Sequence, residues 1–90
     1  MLRVISAEYV DGYRIRVGFD TGETGIVDLA DVLWGPMFEP LKDVQVFRRF
    51  SISPQLHTIC WDNGADLAPE SLHDKMASHE HSAEAPATHR

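Results

Sequence analysis

The feature that most constrains the fold is a strict alternation of apolar and polar side chains over residues 13–19, between two turn signals. A side-chain period of two is typical of a β-strand that buries one face. The flanking segments, Asp11-Gly12 and Asp20-Thr21-Gly22, contain residue types that tight turns favour. The pattern therefore predicts a three-stranded antiparallel meander over residues 1–29.

The first turn of this meander allows two registers. A three-residue loop places Ala7 opposite Ile15 and Ile5 opposite Val17, which gives one continuously apolar face. A two-residue loop would instead bury polar side chains of the first strand without evident partners. We therefore expect the three-residue loop.

The second turn, treated in the same way, places Ile15 opposite Val27. On the reverse face of the sheet, Arg14 then lies between Glu8 and Asp28. Exposed carboxylates that flank a guanidinium across neighbouring strands stabilise a sheet by roughly a few tenths of a kcal/mol each. This charge pattern supports the meander.

Two short helical segments are predicted in the middle of the chain. Residues 29–34 have apolar side chains at helical spacing, and the following Gly35-Pro36 ends that segment. Asp43 is placed to accept a backbone N–H at the start of a second short helix over residues 44–47.

A second hairpin is predicted around Pro54-Gln55, from residues 49–53 and 57–61. The apolar pattern places Ile52 opposite His57 in this pair. We expect a separate two-stranded sheet that packs against the meander.

The last predicted helix begins at Pro69, because proline favours the first position of a helix. Leu72 and Met76 fall four residues apart on one side of it. Residues 77–90 contain no large apolar side chain, so we expect a disordered polar tail there. The chain is therefore predicted to be one α+β domain over residues 1–76, followed by this tail.

The small size of the chain limits how it can be stabilised. It has 90 residues and one cysteine, so an internal disulfide is impossible. Stability must come from packing, and a domain this small needs most of its large aromatic side chains in the core. We expect Trp61 in the core, together with most of the other large aromatic residues, which are Phe19, Trp34, Phe38, Phe47 and Phe50.

Charge and hydropathy restrict the expected partners and location. The formal net charge is −6, the wrong sign for a protein that holds phosphates by itself, so no direct nucleic-acid partner is expected. No segment has the length or composition of a membrane span or a secretory signal. A cytoplasmic protein without a membrane partner is expected, as a monomer or weak homodimer.

The densest polar group comprises Asp62, Asn63, Asp66 and Glu70, beside Trp61. Trp61, Asn63, Asp66 and Glu70 form the candidate functional surface. Carboxylate oxygens suit Ca²⁺ or Mg²⁺, but the spacing differs from that of a known calcium loop. Turn formation and helix capping explain the same residue types, with the Asp66 carboxylate accepting backbone N–H groups near the last helix. No metal or cofactor site is assigned.

The sequence contains no recognisable catalytic arrangement. Cys60 lies between Ile59 and Trp61 in a predicted strand, and no positioned base or nucleophile motif accompanies it. Most of the histidines lie in the predicted tail, where nothing would orient them on a metal. We therefore expect a protein that is not an enzyme.

The chain contains the run Tyr13-x-Ile15-x-Val17-x-Phe19-Asp20-x-Gly22, then Val27-Asp28-Leu29, then Phe38-x-Pro40-Leu41-x-Asp43. This order of motifs resembles the bacterial domain-of-unknown-function family 2442, over residues 1–75. The motif departs from the family at two turns, since Asp62 replaces a common proline and His57 a common glycine. The resemblance implies a domain found beside a small second protein, in arrangements similar to toxin-antitoxin pairs. The most specific matching stretch is Thr58-Ile59-x-Trp61-x-Asn63-Gly64-x-Asp66-x-x-Pro69-Glu70-x-Leu72.

Three functions follow as hypotheses. The first is a non-enzymatic protein-interaction domain, the antitoxin-like partner of a small basic protein encoded by a neighbouring gene. The second is a divalent-metal-binding module or metal-assisted enzyme that uses Asp62, Asp66 and Glu70. The third is an accessory transcriptional regulator.

Overall fold

The predicted meander is present in the computed structural model of the chain, which describes residues 1–84. Strands β1, β2 and β3 form one antiparallel sheet in that order. A second antiparallel sheet contains β4 and β5. The fold is therefore α+β, as predicted. The strands and helices are β1 Val4–Asp11, β2 Arg14–Phe19, β3 Thr24–Asp28, α1 Val44–Phe47, β4 Ser51–Ile52, β5 Ile59–Cys60 and α2 Pro69–Glu84, with 3₁₀ turns at Ala30–Val32 and Glu39–Lys42.

The predicted register of β1 against β2 is wrong by two residues. Ala7 lies opposite Val17, because β1 continues to Asp11 and the turn is shorter than expected. Gly12 has φ of 48° in that turn, and the Arg14 guanidinium donates two hydrogen bonds of 2.7 Å to the Asp11 carboxylate. Ala7 and Tyr9 keep their predicted face, because a shift of two residues does not exchange the faces of a strand. A β-bulge between Tyr9 and Asp11 accounts for the shift, and a second one, between Val4 and Ser6, leaves Val4 buried and Ile5 63% exposed, where Ile5 was expected on the apolar face.

The register of β2 against β3 confirms the prediction. Ile15 lies opposite Val27 and Arg14 lies opposite Asp28. Glu8, however, pairs with Arg16 at 3.3 Å rather than with Arg14, as a consequence of the shifted first register.

The second hairpin also forms with a register two residues from the predicted one. Ile52 lies opposite Ile59 rather than His57. The loop over residues 54–57 is longer than expected, and the His57 N–H closes it by donating to the Ser53 carbonyl at 2.8 Å. His57 is the one described non-glycine residue with a positive φ, 54°, which explains why glycine suits this position.

His57→Gly should stabilise the domain by about 0.5–1 kcal/mol. A left-handed conformation costs an ordinary residue about 1–2 kcal/mol, and part of that gain is offset by the larger unfolded-state entropy of glycine. Thermal unfolding measures the effect. Gln55→Gly, in the same loop but without a positive φ, is the control and should destabilise; stabilisation by both variants would refute the explanation.

The core lies between the meander, α1, the second hairpin and α2. Trp61 is 4% exposed and its indole N–H donates to the Phe47 carbonyl at 2.8 Å, which confirms its predicted place in the core. Asp43 caps α1 as predicted, accepting from the Gln45 N–H at 2.9 Å. The large side chains that are essentially inaccessible to solvent are Phe19, Phe47, Ile15, Leu29, Leu41, Ile59, Leu72, Val4, Val17 and Val27.

Helix α2 begins at Pro69 as predicted and buries Leu72 and Met76. The helix ends at Glu84, beyond the predicted domain boundary at residue 76. Residues 85–90 of the predicted tail lie outside the described residues. The disordered tail therefore stays a prediction.

A hydrogen bond and an ion pair connect α2 to the segments that precede and follow β3. His73 Nε2 lies 2.9 Å from Glu23 Oε1, and Lys75 Nζ lies 2.7 Å from Asp31 Oδ1. The His73 ring also packs edge-on against Phe19. The hydrogen bond from His73 lowers the pKa of Glu23, and the hydrogen bond from Lys75 lowers the pKa of Asp31.

These pairs should make the attachment of α2 sensitive to acid. A carboxyl whose pKa is lower in the folded protein stabilises the fold above its unfolded pKa, and this stabilisation is lost as the pH falls through the folded value. The ordinary pKa of Glu23 is 4.5, so the loss begins as the pH falls below that value. In circular-dichroism melts, the Tm difference between wild type and Glu23→Gln should shrink between pH 7 and pH 3. A constant difference would exclude a role for Glu23 ionisation.

Candidate functional site

The candidate surface predicted from the sequence is only partly a surface. Asp66 and Glu70 are exposed, whereas Trp61 is buried and its indole bonds within the core. Asn63 has an exposed position but a structural function: its Oδ1 accepts the Ala65 N–H at 3.0 Å. Trp61 is therefore a core residue next to this surface and not an exposed part of it.

Asp66 does not have the capping function expected of it. Its backbone forms a bridge with Cys60, and the Leu67 N–H donates to the Ile59 carbonyl at 3.3 Å, so the chain is still extended at this point. Among residues 1–76, no donor to the Asp66 carboxylate is observed. The first turn of α2 is closed instead by the Ala68 carbonyl, which accepts from the backbone of Ser71 and Leu72.

The metal hypothesis gains no support from the geometry. In the described part of the chain, no three His, Cys, Asp or Glu side chains are gathered closely enough to share an ion. Asp62, Asp66 and Glu70 point from a turn, an extended segment and a helix respectively.

The sequence interpretation missed the most exposed large aromatic side chain of the described residues. Trp34 is 72% exposed and Met37 is 47% exposed, whereas Trp34 was one of the aromatic residues of which most were expected in the core. The signal that could have revealed this is Gly35-Pro36, which turns the chain away directly after Trp34. We call residues 34–37 the Trp34 turn.

Backbone hydrogen bonds hold the Trp34 turn in one conformation. The Gly35 carbonyl accepts from the Phe38 N–H at 3.2 Å and from the Glu39 N–H at 2.9 Å. Asn63 Nδ2 donates to the Met37 carbonyl at 2.9 Å. The Asn63 side chain therefore places the Trp34 turn beside the turn at residues 62–64, where the acidic stretch begins.

The acidic side of this surface carries uncompensated charge. Four exposed carboxylates follow one another at intervals of four residues, and within the described residues none belongs to an ion pair. By contrast, the carboxylates of Glu8, Asp11 and Asp31 are all paired with a cation. We call the four the acidic strip: Asp62, Asp66, Glu70 and Asp74.

Two arginines, Arg48 and Arg49, follow α1 directly in the chain. The Arg48 guanidinium lies 4.8 Å from the centre of the Tyr9 ring. Arg49 lines a depression of about 200 Å³. Neither arginine is paired with a carboxylate of the described residues. The other residues lining the depression are Pro40, Val46, Trp61, Asp62 and Asn63.

No helix within residues 1–84 combines the length and apolar composition that crossing a membrane requires.

Comparison with known proteins gives one family and one similar structure. The model of the family described as "Protein of unknown function (DUF2442)" matches residues 4–77. No curated protein matches the chain. A crystal structure from Nitrosomonas europaea, described as "Putative DNA Binding Protein NE0471", is similar with a TM-score of 0.78 and 23% identity. The match covers 90% of this chain and 52% of that one, so this chain spans about half of its length.

This similar structure corrects the prediction that no direct nucleic-acid partner is expected. The exclusion rested on the net charge of −6, whereas a protein that contains the same fold is described as DNA-binding. At this level of identity the likeness establishes the shared fold. The net charge of the chain is therefore not a sufficient ground to exclude nucleic acid.

Proposed function

The chain belongs to the DUF2442 family, and we propose that it is a non-enzymatic cytoplasmic domain that binds another protein through the Trp34 turn and the acidic strip. The observation that carries this proposal is the 72% exposure of Trp34. A tryptophan buries a large area when covered, and tryptophan is enriched among the residues that dominate binding energy at protein interfaces.

The conformation of the Trp34 turn supports a binding role. A side chain on a turn held by hydrogen bonds to Gly35 and Asn63 loses less backbone entropy on binding than one on a mobile loop. Met37 adds a second, adaptable apolar side chain next to it.

The charge of the neighbouring surface indicates the sign of the partner. The acidic strip presents four carboxylates without cations from the described residues. Complementary charge steers association and disfavours partners of the same sign. The favoured partner is therefore a small basic protein, in keeping with an antitoxin-like component of a two-protein pair.

Co-expression with the product of a neighbouring gene tests this proposal. If that product is small and basic, the two proteins should elute together in size-exclusion chromatography at low salt and separate more readily as ionic strength rises. Independent elution of both folded proteins at low salt would contradict the proposal for that pair.

A second candidate function is nucleic-acid binding as an accessory regulator. Two observations favour it: the similar structure is described as DNA-binding, and Arg48 and Arg49 have no carboxylate partner within the described residues. Mobility shifts at low salt test it. If this function holds, the double variant Arg48→Ala/Arg49→Ala should weaken binding and reduce its salt dependence, whereas an unchanged shift would exclude these arginines.

A further inference from the structure

The residues that line the depression beside Asn63 restrict the kind of side chain that can bind in it. Its walls include the apolar side chains of Pro40 and Val46 and part of Trp61, and it also carries Arg49 and Asp62. The two charged side chains have opposite signs and do not form an ion pair with each other.

The size of the depression restricts it to one side chain. Its volume is about 200 Å³, whereas sites for cofactors and drug-sized ligands typically occupy about 300–1,000 Å³. A single large side chain of a protein partner fits the smaller volume.

The charges then decide which side chain fits. A lysine or arginine side chain would be attracted by Asp62 but repelled by Arg49. A carboxylate would be attracted by Arg49 but repelled by Asp62. A neutral aromatic ring has no such conflict. Its face attracts a guanidinium, its body packs on apolar walls, and a phenol hydroxyl can donate to a carboxylate.

We propose that this depression accepts a tyrosine side chain of the protein partner. The ring packs against Pro40, Val46 and Trp61, the Arg49 guanidinium interacts with the ring face, and Asp62 accepts the phenol proton in a hydrogen bond. This inference rests on the proposed protein-binding function and adds a second anchor to the Trp34 turn. Asn63 connects the two, because its amide donates to the Met37 carbonyl.

Titration with single blocked amino acids tests the inference on the intact chain. N-acetyl-tyrosinamide, followed by ¹H-¹⁵N NMR, should shift the Asn63 side-chain amide and the Trp61 indole N–H saturably, and leave the Trp34 indole unmoved. N-acetyl-phenylalaninamide should bind more weakly, because it cannot donate to Asp62. N-acetyl-lysinamide should bind weakest.

Arg49→Ala and Arg48→Ala form a matched pair of variants. Both side chains are exposed, so neither change should unfold the domain. An exposed cation–π contact contributes about 0.5–1 kcal/mol, so Arg49→Ala should weaken binding of N-acetyl-tyrosinamide about two- to fivefold. Arg48 does not line the depression, and its replacement should leave the affinity unchanged.

Three results would overturn the inference. They are an absence of shifts up to the solubility limit of N-acetyl-tyrosinamide, equal or tighter binding of N-acetyl-lysinamide, and preferential binding of thymidine monophosphate, which would assign the depression to nucleic acid. Neither of the first two results tests whether the Trp34 turn binds the partner. If the partner complex still depends on Trp34 while the tyrosine probe fails, the proposed function stands and this inference alone falls.

Discussion

Replacing Trp61 with alanine should lower the free energy of unfolding by about 3–5 kcal/mol, the range typical of large-to-small substitutions at buried aromatic positions. Trp61 is 4% exposed and its ring centre lies 5.9 Å from that of Phe47. Alanine would leave a cavity there and would also leave the Phe47 carbonyl without the indole donor that lies 2.8 Å from it in the native fold.

Urea unfolding followed by circular dichroism measures this effect. A domain of this size has a total stability of roughly 5–12 kcal/mol, so Trp61→Ala should be close to unfolding at 37 °C. Trp34→Ala removes the same side chain from a position that is 72% exposed, and its stability should stay within about 0.5 kcal/mol of wild type. Equal stabilities for the two variants would contradict the assigned places of these residues.

The sequence predicted those features that neighbouring residues determine. The alternation over residues 13–19 places the side chains of β2, the Asp43 carboxylate reaches a backbone N–H only two residues away, and Asn63-Gly64 forms its turn with Gly64 at φ of 93°. Each of these depends on local stereochemistry and hydrogen bonding. The α+β class and the family follow from them.

The two wrong registers have a shared cause. Each depended on how many residues separate the paired positions of two strands. A β-bulge between Tyr9 and Asp11 shifts the first register, and a longer loop that ends at His57, with its positive φ, shifts the second. The apolar pattern could not reveal these shifts, because a shift of two residues leaves the same side chains on the same face. The face changes only beyond the bulge between Val4 and Ser6, where Val4 is buried and Ile5 is exposed.

The candidate site was only partly predictable for a different reason. Trp34 is exposed and Trp61 is buried, yet both are tryptophans in apolar stretches of a small domain. Their places depend on contacts between segments far apart in the chain, such as that of Asn63 with the Met37 carbonyl. The apolar pattern within either segment contains no information about those contacts, so it could not predict which tryptophan is buried.

Replacing Trp34 with alanine should weaken binding of the proposed partner by at least about 2 kcal/mol, or roughly thirtyfold. The residue is 72% exposed in the free chain, so most of its surface can become buried only in the complex. Its turn is already fixed by hydrogen bonds to the Gly35 carbonyl, so little ordering entropy offsets that gain.

The most direct test of the protein-binding function compares the affinities of two alanine variants for the same purified basic partner by isothermal titration calorimetry. Leu56 is also a large exposed apolar residue, 54% exposed, but lies on the loop of the second hairpin. The proposed interface predicts that Trp34→Ala loses roughly thirtyfold in affinity while Leu56→Ala binds as wild type does. If Trp34→Ala binds as tightly as wild type, the Trp34 turn is not the binding surface and the proposed function loses its main support.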